Sequence, residues 1–147
     1  MFKNDKSKAT GKLIVEIKND KGVVVETREV KNLVVDDGLE FIASRMKDAT
    51  ATAMSHMAIG TGSTAAAAGN TALGTEAARQ ALTSTTVTAN AVAYVASFAA
   101  GTGTGAITEA GILNAASAGT LLCRTVFSVI NKGASDSMTV TWTITIS

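Results

Sequence analysis

The side chains able to do chemistry are few, and their spacing reads against an enzyme. His56 is the one histidine. It lies in a short apolar stretch with no Cys or second His nearby, which does not support a zinc site. Gly60-Thr61-Gly62-Ser63-Thr64 is glycine-rich, but no Lys-Ser/Thr ending follows, as a phosphate loop requires. Nor does it have the Gly-x-Ser-x-Gly spacing of a nucleophile elbow. Glu76 and Glu109 are the only carboxylates between Asp48 and Asp136. A glycosidase would need such a pair facing one cleft. Each has a plainer role: Glu76 stands three residues before Arg79, an i,i+3 ion pair, and Glu109 reads as a strand or turn carboxylate. Asp36 and Asp37 suit a helix start, where the macrodipole favours negative charge. Cys123 follows Leu121-Leu122 and reads as a small buried hydrophobe; as the only cysteine it excludes an internal disulfide. The expectation is no catalytic residues, no metal and no cofactor.

The distribution of charge says more. Residues 1–47 hold ten Lys/Arg and eight Asp/Glu; residues 48–147 hold three and four. An ordinary soluble stretch of that second length carries about 25 charged residues. In so poor a region each buried charge needs a partner, because an unpaired one is very costly. Glu76, Arg79, Glu109 and Arg124 are therefore expected to form ion pairs within or between subunits. A surface of Ala, Thr, Gly and Ser is also poorly defended against contact with other protein, as interface cores are. This points to a subunit of a larger assembly. The net charge of +1 makes no case for nucleic acid or an anionic membrane. The longest apolar run, Ala91 to Ala100, is short of the roughly 20 residues a membrane helix needs. Met1 to Gly11 is polar and Lys-rich, unlike a secretion signal.

These residues must be positioned by strands. Ser137 to Ser147 alternates strictly: Met138, Val140, Trp142, Ile144 and Ile146 on one face, Thr139, Thr141, Thr143 and Thr145 on the other. Lys12–Lys18 and Val23–Val30 read as strands around the turn Asn19-Asp20-Lys21-Gly22, a β-hairpin. A helix over 37–47 is predicted, with Asp37 and Glu40 as a capping box and Leu39, Ile42 and Met46 on one face beside Phe41. Further strands are read at Ser55–Ile59, Thr83–Thr88, Val92–Phe98, Ile107–Leu113 and Thr120–Ile130. The stretch from Gly60 to Thr75 reads as irregular, with a turn of helix at Ala65–Ala68 stopped by Gly69-Asn70. About eight strands and one helix predict a mainly β, antiparallel β-sandwich or jelly-roll-like fold with an N-terminal β-hairpin and one short α-helix. The chain, at 147 residues and mean hydropathy +0.26, suits one domain. That domain is placed at 12–147 (hairpin 12–31, helix 37–47, main strands 55–147), with 1–11 a flexible arm.

Two stretches resemble a known group. One is Ile59-Gly60-Thr61-Gly62-Ser63-Thr64, then Gly69-Asn70-Thr71-Ala72-Leu73-Gly74-Thr75-Glu76 and Arg79. The other is Ile107-Thr108-Glu109-Ala110-Gly111-Ile112-Leu113-Asn114, then Gly119-Thr120-Leu121-Leu122-Cys123-Arg124-Thr125-Val126-Phe127 and the terminal Thr-alternating strand. Over roughly residues 33–147 the chain is similar to small virion proteins of tailed bacteriophages: head-decoration (cement) proteins and modules of collar or tail fibres. That group commonly has Pro and Asp where this chain has Ala65–Ala68. The resemblance implies a non-enzymatic protein of the virion, assembled in the host cytoplasm, that binds and stabilises the capsid as a decoration protein. Its alternative is a collar, tail or tail-fibre module contacting the host surface. The implied partners are the major capsid protein or other virion proteins, and further copies of the chain in a homo-oligomer, a trimer being favoured. Lys3, Lys6 and Lys8 are candidate contacts to an acidic capsid surface.

Overall fold

A computed structural model describes residues 8–47 and 51–147. In chain order the elements are β1 (Ala9–Lys18), β2 (Val24–Lys31), β3 (Leu33–Val34), α1 (Asp36–Ser44), β4 (His56–Gly60) and β5 (Glu76–Ala81). They continue as β6 (Ser84–Thr88), β7 (Ala91–Phe98), β8 (Gly105–Leu113), β9 (Leu121–Lys132) and β10 (Ser137–Ile146). Two five-stranded sheets result, ordered β2-β1-β10-β7-β6 and β3-β9-β8-β4-β5. Every pairing is antiparallel. The sheets face each other as a β-sandwich, as expected, but with more strands than the sequence suggests.

The alternation in β10 is what builds the first sheet. Met138, Val140, Trp142 and Ile144 are buried, and the threonines between them are half-exposed. β10 sits at the centre, paired with β1 along its whole length and with β7 on the other side. Leu13, Val15 and Ile17 from β1 and Tyr94, Ala96 and Phe98 from β7 join the same inner face. Opposite them lie Met57 and Ile59 of β4, Ile107 and Ile112 of β8, and Cys123 and Ile130 of β9. Fully burying one such aliphatic side chain stabilises by about 1.5–3 kcal/mol, so this contiguous core dominates the fold.

Several boundaries differ from the sequence expectation. β1 starts at Ala9, so residues 9–11 belong to the sheet and not to an arm. The backbones of Lys8 and Ser147 exchange hydrogen bonds of 2.7 and 2.8 Å; Lys3 and Lys6 lie outside the described residues. The helix runs Asp36–Ser44, and its N-cap is Val35, with no side-chain capping bond. The capping box at Asp37 and Glu40 therefore does not form, while Asp36 and Asp37 do occupy the first turn. Leu39 and Met46 are 46% and 87% exposed. The cause is Gly38: a Cβ there would overlap the carbonyl oxygen of Leu122, so the helix docks on β9 through its bare backbone. Phe41 and Ile42 then share the inward face with Gly38 at i, i+3 and i+4, and Leu39 and Met46 turn away. Ala65–Ala68 forms no helical turn.

Candidate functional site

The loop between β4 and β5, residues 61–75, covers the outer face of the second sheet. Loops this long without secondary structure are uncommon in compact domains, so something must hold it. In the β8–β9 pairing Glu109 stands opposite Val126 and Gly111 opposite Arg124. Glu109 and Arg124 are thus diagonal neighbours on one face of the sheet, and that face is the one beneath the loop. Gly111 lacks a side chain where Leu73 of the loop packs down: a Cβ there would lie 2.6 Å from Leu73 Cδ1. Leu73 is buried with Val35, Ala58, Leu113 and Leu121 in a second, smaller apolar cluster.

Arg124 and Glu109 form an ion pair with side chains 2% and 0% exposed. Oε2 of Glu109 accepts from Arg124 Nη2 at 2.8 Å, from Arg124 Nε at 3.0 Å and from the Gly74 N–H at 2.9 Å. Oε1 accepts from the N–H groups of Gly62 at 3.0 Å and Thr75 at 2.6 Å. The remaining guanidinium hydrogens go to loop oxygens: Nη2 donates to Thr64 O, and Nη1 to Asn70 Oδ1 and Ala65 O. Asn70 Oδ1 also accepts from the Ala67 N–H, and the Thr108 hydroxyl donates to Gly62 O. Burial alone would push the Glu109 carboxyl up. The N–H groups of Thr75, Gly74 and Gly62 together with Arg124 outweigh it and hold the group below the usual carboxylate range.

Chemically this pair is saturated. Arg offers five N–H donors in a fixed fork, and all are engaged. Both carboxylate oxygens carry two or three donors. Neither group can take up a proton or a ligand without giving up a bond to the loop, so the arrangement is a clamp on the backbone.

Glu76 and Arg79 form a second clamp. Arg79 Nη2 and Nε meet Glu76 Oε1 and Oε2 at 2.7 and 3.1 Å. Arg79 Nη1 donates onward to Ala115 O at 2.9 Å and Ala118 O at 2.8 Å, tying the β8–β9 turn to β5. The four charges singled out from the sequence thus form two pairs within one chain, about two different loops.

Sequence reasoning missed Lys132. It is buried, and its ammonium donates to Ala99 O at 2.9 Å and Asp136 O at 2.8 Å, joining the ends of β7 and β9. Burial pulls its pKa down, against the pull of Asp136. The signal was legible: Ile130 and Lys132 share one face by period two. Asn70 was missed as well, being read only as the end of a turn. His56 Nδ1 lies 2.8 Å from Ser55 Oγ. Cys123 is free and buried, and burial pushes its thiol well up. Among the described residues no cluster of three or more His, Cys, Asp or Glu is placed to hold a metal ion, and no helix is long and apolar enough to cross a membrane.

Comparison with protein-family models, with curated proteins and with solved structures finds no match to this chain.

Proposed function

We propose that this chain is a non-enzymatic structural protein of a phage virion that binds and stabilises the capsid as a decoration protein. One observation carries the reading. The segments that resemble virion proteins, Ile59–Thr64, Gly69–Glu76, Ile107–Asn114 and Gly119–Phe127, are far apart in sequence. They meet at the Glu109–Arg124 clamp, where the two charged side chains are consumed in holding the backbone of a loop. Charged motif residues that serve catalysis leave groups free for substrate; the Glu109 carboxylate and the Arg124 guanidinium have none free.

The outer face of the first sheet supports the same reading. Across it one row reads Glu29, Ile14, Thr141, Val95, Ser84 and the next Lys31, Lys12, Thr143, Ala93, Thr86. Charge is confined to β1 and β2, and the β10–β7–β6 half is hydroxyls and small apolar groups. Such a surface costs little to desolvate against another protein.

The test is a copy count in purified particles of the phage that encodes the chain, by quantitative mass spectrometry against the major capsid protein. Hundreds of copies per particle are expected. A dozen or fewer would move the protein to a collar or tail, and absence from the particle would overturn the reading.

A further inference from the structure

We infer that β6 is a docking edge for a second copy of this chain, which adds its own β6 antiparallel across a two-fold axis at Thr86. The inference stands apart from where the protein sits on a particle.

Exposed sheet edges offer unpaired N–H and C=O groups, and proteins ordinarily guard them with charge, brevity or bulges. Three of the four edges here are guarded. β2 carries Glu26, Arg28, Glu29 and Lys31; β5 carries Glu76 and Arg79; β3 has two residues. β6 reads Ser-Thr-Thr-Val-Thr, all five residues exposed, with no charge and no proline. Among the described residues it pairs with β7 alone.

The hydrogen-bonding phase of this edge fits self-pairing. The two-residue turn Ala89–Asn90 closes on Thr88 and Ala91. Such a turn makes the closing pair a hydrogen-bonded one. Thr88, Thr86 and Ser84 then spend their backbone groups on β7, and Thr85 and Val87 present theirs to the open side. An antiparallel copy centred on Thr86 sets Thr85 opposite Val87 and Val87 opposite Thr85. Both are hydrogen-bonded pairs, so the free donors and acceptors of each copy meet those of the other. Thr86 faces Thr86 as a non-hydrogen-bonded pair, and Ser84 faces Thr88. Every cross-strand pair is uncharged, and most are β-branched on both sides, a favourable combination.

The inner face gains too. Thr85 and Val87 border an apolar cleft of ≈ 320 Å³ with Phe41, Ile42, Val92 and Tyr94. Val87 is 69% exposed at its mouth. In the pair, Val87 of each copy lies against Thr85 of the other, and the two valines roof adjoining clefts. The two-fold closes on itself, and the outermost strand on either side is then the charged β2, so growth stops at two copies. A five-residue edge is small beside the roughly 1,200–2,000 Å² of stable interfaces. The pair is therefore weak in dilute solution and strengthens where copies are held close together.

The test pairs sedimentation with cross-linking. Wild type should show a dimer fraction that grows into the millimolar range, and Thr86→Lys, which sets two ammonium groups face to face, should remove it. Non-hydrogen-bonded partners have Cα atoms about 4.5 Å apart, within disulfide range. Thr86→Cys should therefore oxidise to a covalent dimer at least tenfold faster than Thr27→Cys, an exposed control on β2. The inference is overturned by a chain that stays monomeric at the highest concentration. It is overturned equally by Thr86→Cys cross-linking no faster than the control, or by its cross-linking in the particle to a different protein in place of a second copy.

Discussion

Arg124 grips a single oxygen of Glu109 with two of its nitrogens, Nη2 at 2.8 Å and Nε at 3.0 Å, and leaves the other oxygen to the loop backbone. The ion pair is thus half of a larger object in which one carboxylate collects five donors from β9 and two ends of a loop. Removing either member strands the other in a buried site. Losing one partner of such a pair typically costs about 3–5 kcal/mol.

Arg124→Ala should therefore lower unfolding stability by about 3–5 kcal/mol in urea titration. It should also expose residues 61–75 to limited proteolysis while the core remains protected. Arg124→Lys should recover only part of the loss, because an ammonium cannot reproduce the fork. Unchanged stability in Arg124→Ala would remove the clamp from the account.

Acid should act through the same carboxylate. Its folded-state pKa is depressed, so its stabilising contribution is fully present above the unfolded value of about 4.3 and is lost as pH falls through the lower folded value. Urea midpoints taken from about pH 6 down to about pH 2 should fall, and Glu109→Gln should flatten that fall while lowering the plateau above it. A wild-type and a Glu109→Gln profile of the same shape would contradict this.

Gly62 approaches the pair so closely that a Cβ there would lie 2.5 Å from Glu109 Oε1. Gly62→Ala should cost about 1–3 kcal/mol through overpacking. Combined with Arg124→Ala it should cost less than the sum, since both changes release one loop. Denaturation of the two single variants and the double variant measures the coupling.

Much of the scaffold was open to sequence reasoning, and the reasons are local. β10 declares itself because its alternation is uninterrupted, and the first hairpin because Gly22 adopts the φ of 72° that its turn requires. The scarcity of charge after residue 47 was enough to name Glu76, Arg79, Glu109 and Arg124 as paired. The Glu76–Arg79 pair was legible from its i,i+3 spacing, but that Glu109 meets Arg124 was not: they meet through the β8–β9 register, and register is a long-range property. β5 escaped for another reason. Glu-Ala-Ala-Arg-Gln-Ala has strong helix formers, and only pairing with β4 makes it a strand. The helix face was misjudged because Leu39 and Met46 outrank Gly38 on any hydrophobic count, whereas close backbone approach favours the glycine.

Ala89 takes a φ of 52° in the turn between β6 and β7. For a residue with a Cβ this left-handed conformation costs about 1–2 kcal/mol. Ala89→Gly removes that strain against an entropic cost of roughly 0.5–1 kcal/mol. Thermal unfolding should show a variant as stable as wild type or more so, by up to about 1.5 kcal/mol. A clear loss of stability would mean that the alanine side chain has a packing role at the tip of the hairpin.

The role we propose is that this sparsely charged sandwich strengthens a viral shell. Shells of the encoding phage, prepared without the protein and then saturated with it, should bind it on co-sedimentation and disrupt at a higher temperature in calorimetry than bare shells. Equal disruption temperatures, with the protein left in the supernatant, would contradict the account.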